Sequence, residues 1–215
     1  MSRELTNPVK WFNENFRQYV EKMSLDKEHM QGYKELLNHF QQMLDKDAKI
    51  LDAGCGWGRD VNYFLDNGYD AIGVDKAPAP LKFGSKKYKA NNVGSKLHRM
   101  DVAELGFQKN TFDGVWCNSV IHFYEPDKMH KPISEMSRVL KKGGLLYINF
   151  KLTEGSPEPD VREESDGALV ERYLVPAEMI KNLLEENGLK YLEGESLVNT
   201  EDFENHVWSI FCRKK

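Results

Sequence analysis

A short apolar strand running into a glycine turn at the mouth of a helix constrains this chain more than any other feature. In the run Ile50-Leu51-Asp52-Ala53-Gly54-Cys55-Gly56-Trp57-Gly58-Arg59, three glycines stand at alternate positions. Glycine tolerates positive φ and lets the backbone come close to a ligand. A dinucleotide fingerprint needs GxGxxG, whereas the spacing here is GxGxG and Arg59 occupies the third dinucleotide position. No Gly-Lys-Ser/Thr follows, so the turn is not a P-loop. Asp52, immediately before the turn, would repel a phosphate and suits a cationic ligand.

The flanking texture explains where such a turn would sit. Short apolar runs at Lys49–Ala53, Ala71–Asp75, Leu97–Asp101, Phe112–Asn118 and Leu145–Leu152 alternate with helix-length segments at about 57–67, 79–91 and 127–141. That alternation is the signature of βαβ units in an open α/β sheet with right-handed crossovers. The last helix is expected to close on Lys141, Lys142, Gly143 and Gly144, with cations and glycine where a helix carboxyl end favours them. Ligands of such sheets bind beyond the carboxyl ends of the strands. The second strand ends in Asp75, about 21 residues past Gly54, where a carboxylate can accept both hydroxyls of a ribose, and the third ends in Asp101. A glycine turn with three strand-end carboxylates suits a nucleoside that carries positive charge and no phosphate.

The rest of the chain bounds the function. Its 215 residues are 40% hydrophobic and 30% charged, enough apolar surface for one domain with appendages rather than a disordered chain. The net charge of −4 gives no bulk drive toward nucleic acid or anionic membrane. Cys55, Cys117 and Cys212 form no CxxC pair, the amino-terminal segment lacks the apolar core of a signal peptide, and no apolar run nears a membrane span. A cytoplasmic protein is expected. Residues 1–48 carry two amphipathic patterns, one through Trp11, Phe12, Phe16, Tyr19, Val20 and Met23, the other through Met30, Tyr33, Leu36, Leu37, Phe40, Met43 and Leu44. They read as a helical cap, not an independent domain, over a unit spanning 49–215. The Pro-, Gly- and acid-rich segment 153–167 reads as a mobile surface loop. A helix from Pro176 to Gly188, with Met179, Ile180, Leu183 and Leu184 facing inward, and strands at about 189–197 and 206–213 complete the sheet, with Trp208 in the core.

Five segments in order, ILDAGCGWG, GYDAIGVDKA, MDVAEL, TFDGVWCNSVIHFY and SRVLKKGGLLYINF, resemble the successive motifs of class I S-adenosylmethionine-dependent methyltransferases, over about residues 9–213. The likeness is to the small single-domain enzymes of the tellurite-resistance and ubiquinone/menaquinone-biosynthesis type. It implies a Rossmann-like, doubly wound seven-stranded sheet with the last strand antiparallel. It also implies S-adenosylmethionine as methyl donor, S-adenosylhomocysteine as product, and no metal. Asp52 and the backbone of Gly54, Cys55, Gly56 and Gly58 would hold the methionine part, and Asp75 the ribose. Lys76 would lie against the adenine, with Asp101 and the Val102 backbone reading its amino group. Asn118 would pass near the sulfonium methyl, and Ser119 to His122 would floor the acceptor site. Tyr19 resembles a lid tyrosine, and Trp11 or Phe12 would help to close the site.

His122 is the natural proton acceptor for a hydroxyl, amine or thiol substrate, and Tyr124 and Glu125 share its loop. His130 reads as an exposed helix residue, which leaves no His122/His130 metal pair. Arg59 is placed to pair with Asp60 or with an acceptor carboxylate, and Arg162, Glu163 and Glu164 belong to the charged loop. The expected activity is in-line methyl transfer to a small-molecule acceptor at O, N, S or an oxyanion, by a monomer or homodimer with no nucleic-acid or membrane partner. A methyltransferase of tRNA or protein and a non-catalytic S-adenosylmethionine-binding module are the alternatives.

Overall fold

Parallel neighbours cannot be joined by tight hairpins, so the sequence's alternating apolar runs must be connected by helices packed on the sheet. The computed structural model has this arrangement, and describes residues 4–25, 27–164, 166–192, 197–199 and 207–215, with backbone alone at 19, 22–25, 27–30 and 197–199. In chain order the elements are β1 (Leu5–Thr6), α1 (Pro8–Leu25), α2 (Lys27–Gln42), β2 (Lys49–Ala53), α3 (Arg59–Asp66), β3 (Asp70–Asp75), α4 (Pro78–Lys87), β4 (Leu97–Arg99) and β5 (Phe112–Cys117). There follow α5 (His130–Val139), β6 (Leu140–Leu152), β7 (Glu158–Glu163), β8 (Leu169–Val175), α6 (Ala177–Glu186), β9 (Leu189–Tyr191), β10 (Leu197–Asn199) and β11 (Val207–Lys214).

Seven of these strands form the expected core in the order β4-β3-β2-β5-β6-β11-β9, with β11 antiparallel to both β6 and β9. The order reverses between β2 and β5. That switch point opens a crevice at the carboxyl ends of the two strands.

The segment 153–167, expected as a loop, carries a strand over Glu158–Glu163. β7 folds back on β8 in an antiparallel ladder from Glu158↔Leu174 to Glu163↔Leu169, β8 lies parallel to the end of β6, and β1 adds to β8. Apolar alternation does not announce β7 because its partners are charges: Arg162 Nε donates to Asp160 Oδ2 at 2.7 Å, and Arg172, cross-strand from Asp160, bonds Glu164. Pro159 and these charges suit an outer strand, where they discourage further strand pairing. The helix expected over 127–141 is also shorter, ending at Val139. Leu140 already pairs with Phe112, and the chain bulges through Gly143, at φ 73°, before Leu145 pairs with Gly114.

Two apolar layers hold the sheet. On one face Ile133 and Met136 of α5 and Ile180 and Leu184 of α6 are fully buried, joined by Trp208, while Met179 and Leu183 are partly buried. On the other, α2 buries Tyr33, Leu37 and Phe40; the Phe40 ring meets Trp116 edge-on at 5.2 Å, and Trp116 stacks on Tyr147 at 3.9 Å. This helix is therefore part of the core. α1 instead bridges the carboxyl-end rim: Phe16 packs on Phe83 of α4, Asn13 Oδ1 accepts from the Ala79 amide at 2.9 Å, and Trp11 Nε1 donates to Asp166 Oδ1 at 3.1 Å in the β7–β8 turn. Among the described residues no helix is long and apolar enough to cross a membrane.

Candidate active site

The glycine turn passes over the switch point. The amides of Gly54 and Cys55 both donate to the Val74 carbonyl, at 2.8 and 2.9 Å, which curls the chain back over β3. Gly54 has φ 90°, and a Cβ there would stand 2.1 Å from Val120 Cγ2. Gly54→Ala therefore combines left-handed strain with overpacking, and is expected to destabilise the protein by about 2–4 kcal/mol in urea unfolding. Close packing recurs at Gly84 of α4, whose Cβ would lie 2.0 Å from the Trp57 carbonyl oxygen. Phe12 of α1 covers the turn, its ring 3.6 Å from where a Gly56 Cβ would be.

Three carboxylates line the crevice, each in a different electrostatic state. Asp52 is 2% exposed, its Oδ2 is buried without a hydrogen-bond partner, and burial followed by the nearby Asp60 charge raises its pKa well above the carboxylate range. A buried, unpartnered carboxylate oxygen is costly and calls for a cationic ligand. Asp75 accepts the Gly56 amide on Oδ2 at 2.9 Å and the Ala77 amide on Oδ1 at 2.8 Å. Burial raises its pKa and those amides oppose the rise, while the lone pairs left over can accept further hydroxyls. For Asp101, partial burial works against ionisation. It is outweighed by Lys76 Nζ at 2.6 Å from Oδ2, the Ala103 amide, and the Tyr124 hydroxyl at 2.8 Å from Oδ1, so its pKa is lowered.

These bonds redistribute the expected roles. Lys76, expected against the adenine, pairs its Nζ with Asp101. Tyr124 is tied to Asp101 on the Lys76 side of the crevice, and burial together with that carboxylate raises its pKa. Cys55, in the turn, is a buried thiol whose pKa burial pushes well up, and Val102 is 4% exposed behind Asp101. Tyr19 lies on α1, but its side chain is outside the described residues. Arg59 pairs with Asp60, its guanidinium 4.1 Å from the Tyr33 ring centroid. His130 is exposed, with Nδ1 3.1 Å from the Asp127 carbonyl, and no cluster of metal-ligating side chains occurs among the described residues.

Asn118 and Ser119 form the far wall. Asn149 Nδ2 donates to Asn118 Oδ1 at 3.0 Å, and its own Oδ1 accepts the Ser119 amide at 2.7 Å, holding Ser119 at φ 59°. Asn149 was not singled out in the sequence, although a polar residue inside the otherwise apolar strand YINF is the available signal. His122 follows in a short 3₁₀ turn, Ile121–Phe123, and is 7% exposed. Burial first, then the charges of Lys151, Arg172 and Arg162, hold its pKa well below 6.5.

That shift has a stability consequence. A depressed native pKa contributes stability that is present above the unfolded value, about 6.5, and lost as pH falls toward the native pKa. Between about pH 7.5 and 5.5 the wild-type urea midpoint is expected to fall, and His122→Gln to flatten that fall. Equal slopes would show that His122 does not titrate with unfolding.

A methyltransferase domain family matches residues 51–148. The uncharacterized methyltransferase YodH of Bacillus subtilis is 30% identical over 121 residues, 56% of this chain and 51% of that protein. The malonyl-[acyl-carrier protein] O-methyltransferase of Enterobacter lignolyticus is 27% identical over 52% of this chain and 42% of that protein. The chain thus spans about half the length of these curated relatives. Among solved structures, a TehB-like S-adenosylmethionine-dependent methyltransferase from Corynebacterium glutamicum aligns at TM-score 0.69 and 19% identity, covering 94% of this chain and 98% of that one. The 1,6-didemethyltoxoflavin-N1-methyltransferase of Burkholderia thailandensis, solved with its substrate and S-adenosylhomocysteine, aligns at TM-score 0.67 and 19% identity, covering 100% and 93%. Sheet order and the solved structures show the fold of S-adenosylmethionine-dependent methyltransferases, and a methyltransferase domain is matched over its central part.

Proposed function

We propose that the protein transfers a methyl group from S-adenosylmethionine to a small-molecule acceptor. The observation that carries this reading is the buried, unpartnered Oδ2 of Asp52 beneath a glycine turn, a place suited to a cation and hostile to phosphate. S-adenosylmethionine supplies an electrophilic methyl on a sulfonium, and no metal is required.

In this reading Asp52 and the backbone from Gly54 to Gly58 hold the amino acid end. Asp75 takes the ribose hydroxyls, and the Lys76–Asp101 pair with Val102 borders the adenine. Asn118, fixed by Asn149, orients the donor end, and Ser119 to His122 face the acceptor. Displacement at a methyl group needs alignment and exclusion of water more than covalent help from the protein. Phe12 and Trp11 on α1, which is tied to α4 and to the β7–β8 turn, supply the cover, so α1 acts as the cap of the one catalytic unit while α2 belongs to its core. His122 is the side chain placed to take an acceptor proton, and the burial and neighbouring cations that lower its pKa weaken it as a base. The three buried free thiols fit a reducing cytosol.

The test is calorimetric titration with S-adenosylmethionine, S-adenosylhomocysteine and NAD, followed by incubation of a cell extract with labelled methyl donor, with and without RNase. Binding of the first two but not NAD, with RNase-resistant label in small metabolites, is the expected result. NAD binding alone would overturn the assignment; label lost to RNase would move it to a nucleic-acid substrate.

A further inference from the structure

The β7–β8 hairpin brings two cations, Arg162 and Arg172, to the face of β6 that carries a third, Lys151. Asn149 and Lys151 project from the same face of β6, and Asn149 touches Asn118 and Ser119. Lys151 registers with Leu174, so Arg172, two residues earlier on β8, shares that face; Asp160, paired with Arg172, and Arg162, paired with Val170, share it too. His122 lies against this face, within the fields of Lys151, Arg172 and Arg162, while the Arg172 guanidinium sits 5.8 Å from the Phe123 ring centroid.

Lys151 is only 7% exposed. Arg172 spends one terminal nitrogen on Glu164 and leaves its Nε buried with no hydrogen-bond partner. A guanidinium presents its donors as a planar fork suited to two oxygens of one anion.

We propose that the methyl acceptor carries an anionic oxygen group, a carboxylate or a phosphate, which is seated on Arg172 and Lys151 beside His122. This rests on the reading of the protein as a methyltransferase and narrows its substrate class. Arg172 and Lys151 fix the acceptor's charged end, so that its nucleophile is presented toward the Asn118–Ser119 wall. Arg162, held by Asp160, closes the hairpin side.

The experiment titrates the protein, saturated with S-adenosylhomocysteine, with benzoate, benzamide and inorganic phosphate, read by calorimetry or by NMR shifts. One saturable site is expected for benzoate or phosphate, whichever binds more tightly naming the anion class. Benzamide should bind at least about tenfold more weakly than benzoate if the carboxylate is recognised. Arg172→Leu should weaken the bound anion at least about tenfold with S-adenosylhomocysteine affinity unchanged, and Arg172→Lys should fall between, because it keeps the charge and loses the fork. Should Arg172→Leu not fold, Arg172→Lys and Lys151→Met carry the same comparison. S-adenosylhomocysteine binding without anion binding, or anion binding indifferent to these variants, overturns the anionic acceptor alone. Failure to bind S-adenosylhomocysteine overturns the methyltransferase reading as well.

Discussion

Asp52→Asn is expected to raise the melting temperature of the ligand-free protein at neutral pH and, at the same time, to lower its affinity for S-adenosylmethionine by about 100-fold or more. Both effects follow from one buried oxygen. Asp52 has a raised native pKa because burial disfavours its ionised form and Asp60 adds like charge, only partly offset by Arg59. A raised native pKa means that the group's contribution to stability is full below the unfolded value, about 3.9, and is lost as pH rises through the native one. At neutral pH that contribution is gone or diminished, so a neutral isostere should gain. Near pH 4 the gain should shrink, because the carboxyl is then protonated in the native state.

Melting curves at about pH 4 and pH 7, with titrations of both S-adenosylmethionine and S-adenosylhomocysteine, check the two halves together. Equal loss for the two ligands would assign Asp52 to the ammonium they share. Loss for the sulfonium ligand alone would assign it to the reacting end. Wild-type affinity in a stabilised Asp52→Asn protein would remove Asp52 from the binding site altogether.

The second large effect concerns support beneath the site. Asp60, at the first turn of α3, accepts the Tyr33 hydroxyl from α2, the Trp116 indole Nε1 at 3.2 Å from β5, and Arg59 Nε at 2.8 Å. Three elements thus share one nearly buried carboxylate, whose side chain is 10% exposed. Asp60→Ala leaves two buried donors and a guanidinium without it, a change of about 3–5 kcal/mol. In a chain of this size that corresponds to a fall in melting temperature of roughly 6–20 °C. Asp60→Asn, which keeps an acceptor oxygen, should recover part of the loss. A fall of only one or two degrees for Asp60→Ala would mean that α2 is held by its apolar face alone.

Asp60 also marks the boundary of what could be read in advance. Asp52, Gly54, Asp75 and Asp101 were legible because each ends or follows a short apolar strand, and strand ends are where this architecture gathers ligands. Asp60, Tyr33 and Trp116 were not legible as a group. They lie on three separate elements, and α2 reads in sequence only as an amphipathic helix. Asn149 and Lys151 lie within the expected strand Leu145–Leu152, yet their importance depends on the pairing of β6 with β5 and β8. The hairpin is hidden for a different reason: β7 carries charges at alternate positions, Glu158, Asp160 and Arg162, so its period-two pattern is polar and mimics a solvated loop.

Local chemistry therefore determined the class of fold and the carboxylates at the strand ends. The spacing of glycines, the strand-end acids and the helix-length connections all act over a few residues and have few alternative solutions. Tertiary structure decided the cationic face proposed for the acceptor. Lys151, Arg162, Arg172 and His122 belong to β6, β7, β8 and a 3₁₀ turn, and only strand register puts them on one face. Register is a long-range property, fixed by how the hairpin seats against β6 and how α1 binds its turn through Trp11 and Asp166. A glycine turn thus specified in sequence what kind of donor the crevice can hold, while the folding of a charged segment onto the sheet edge set the charges that an acceptor would meet.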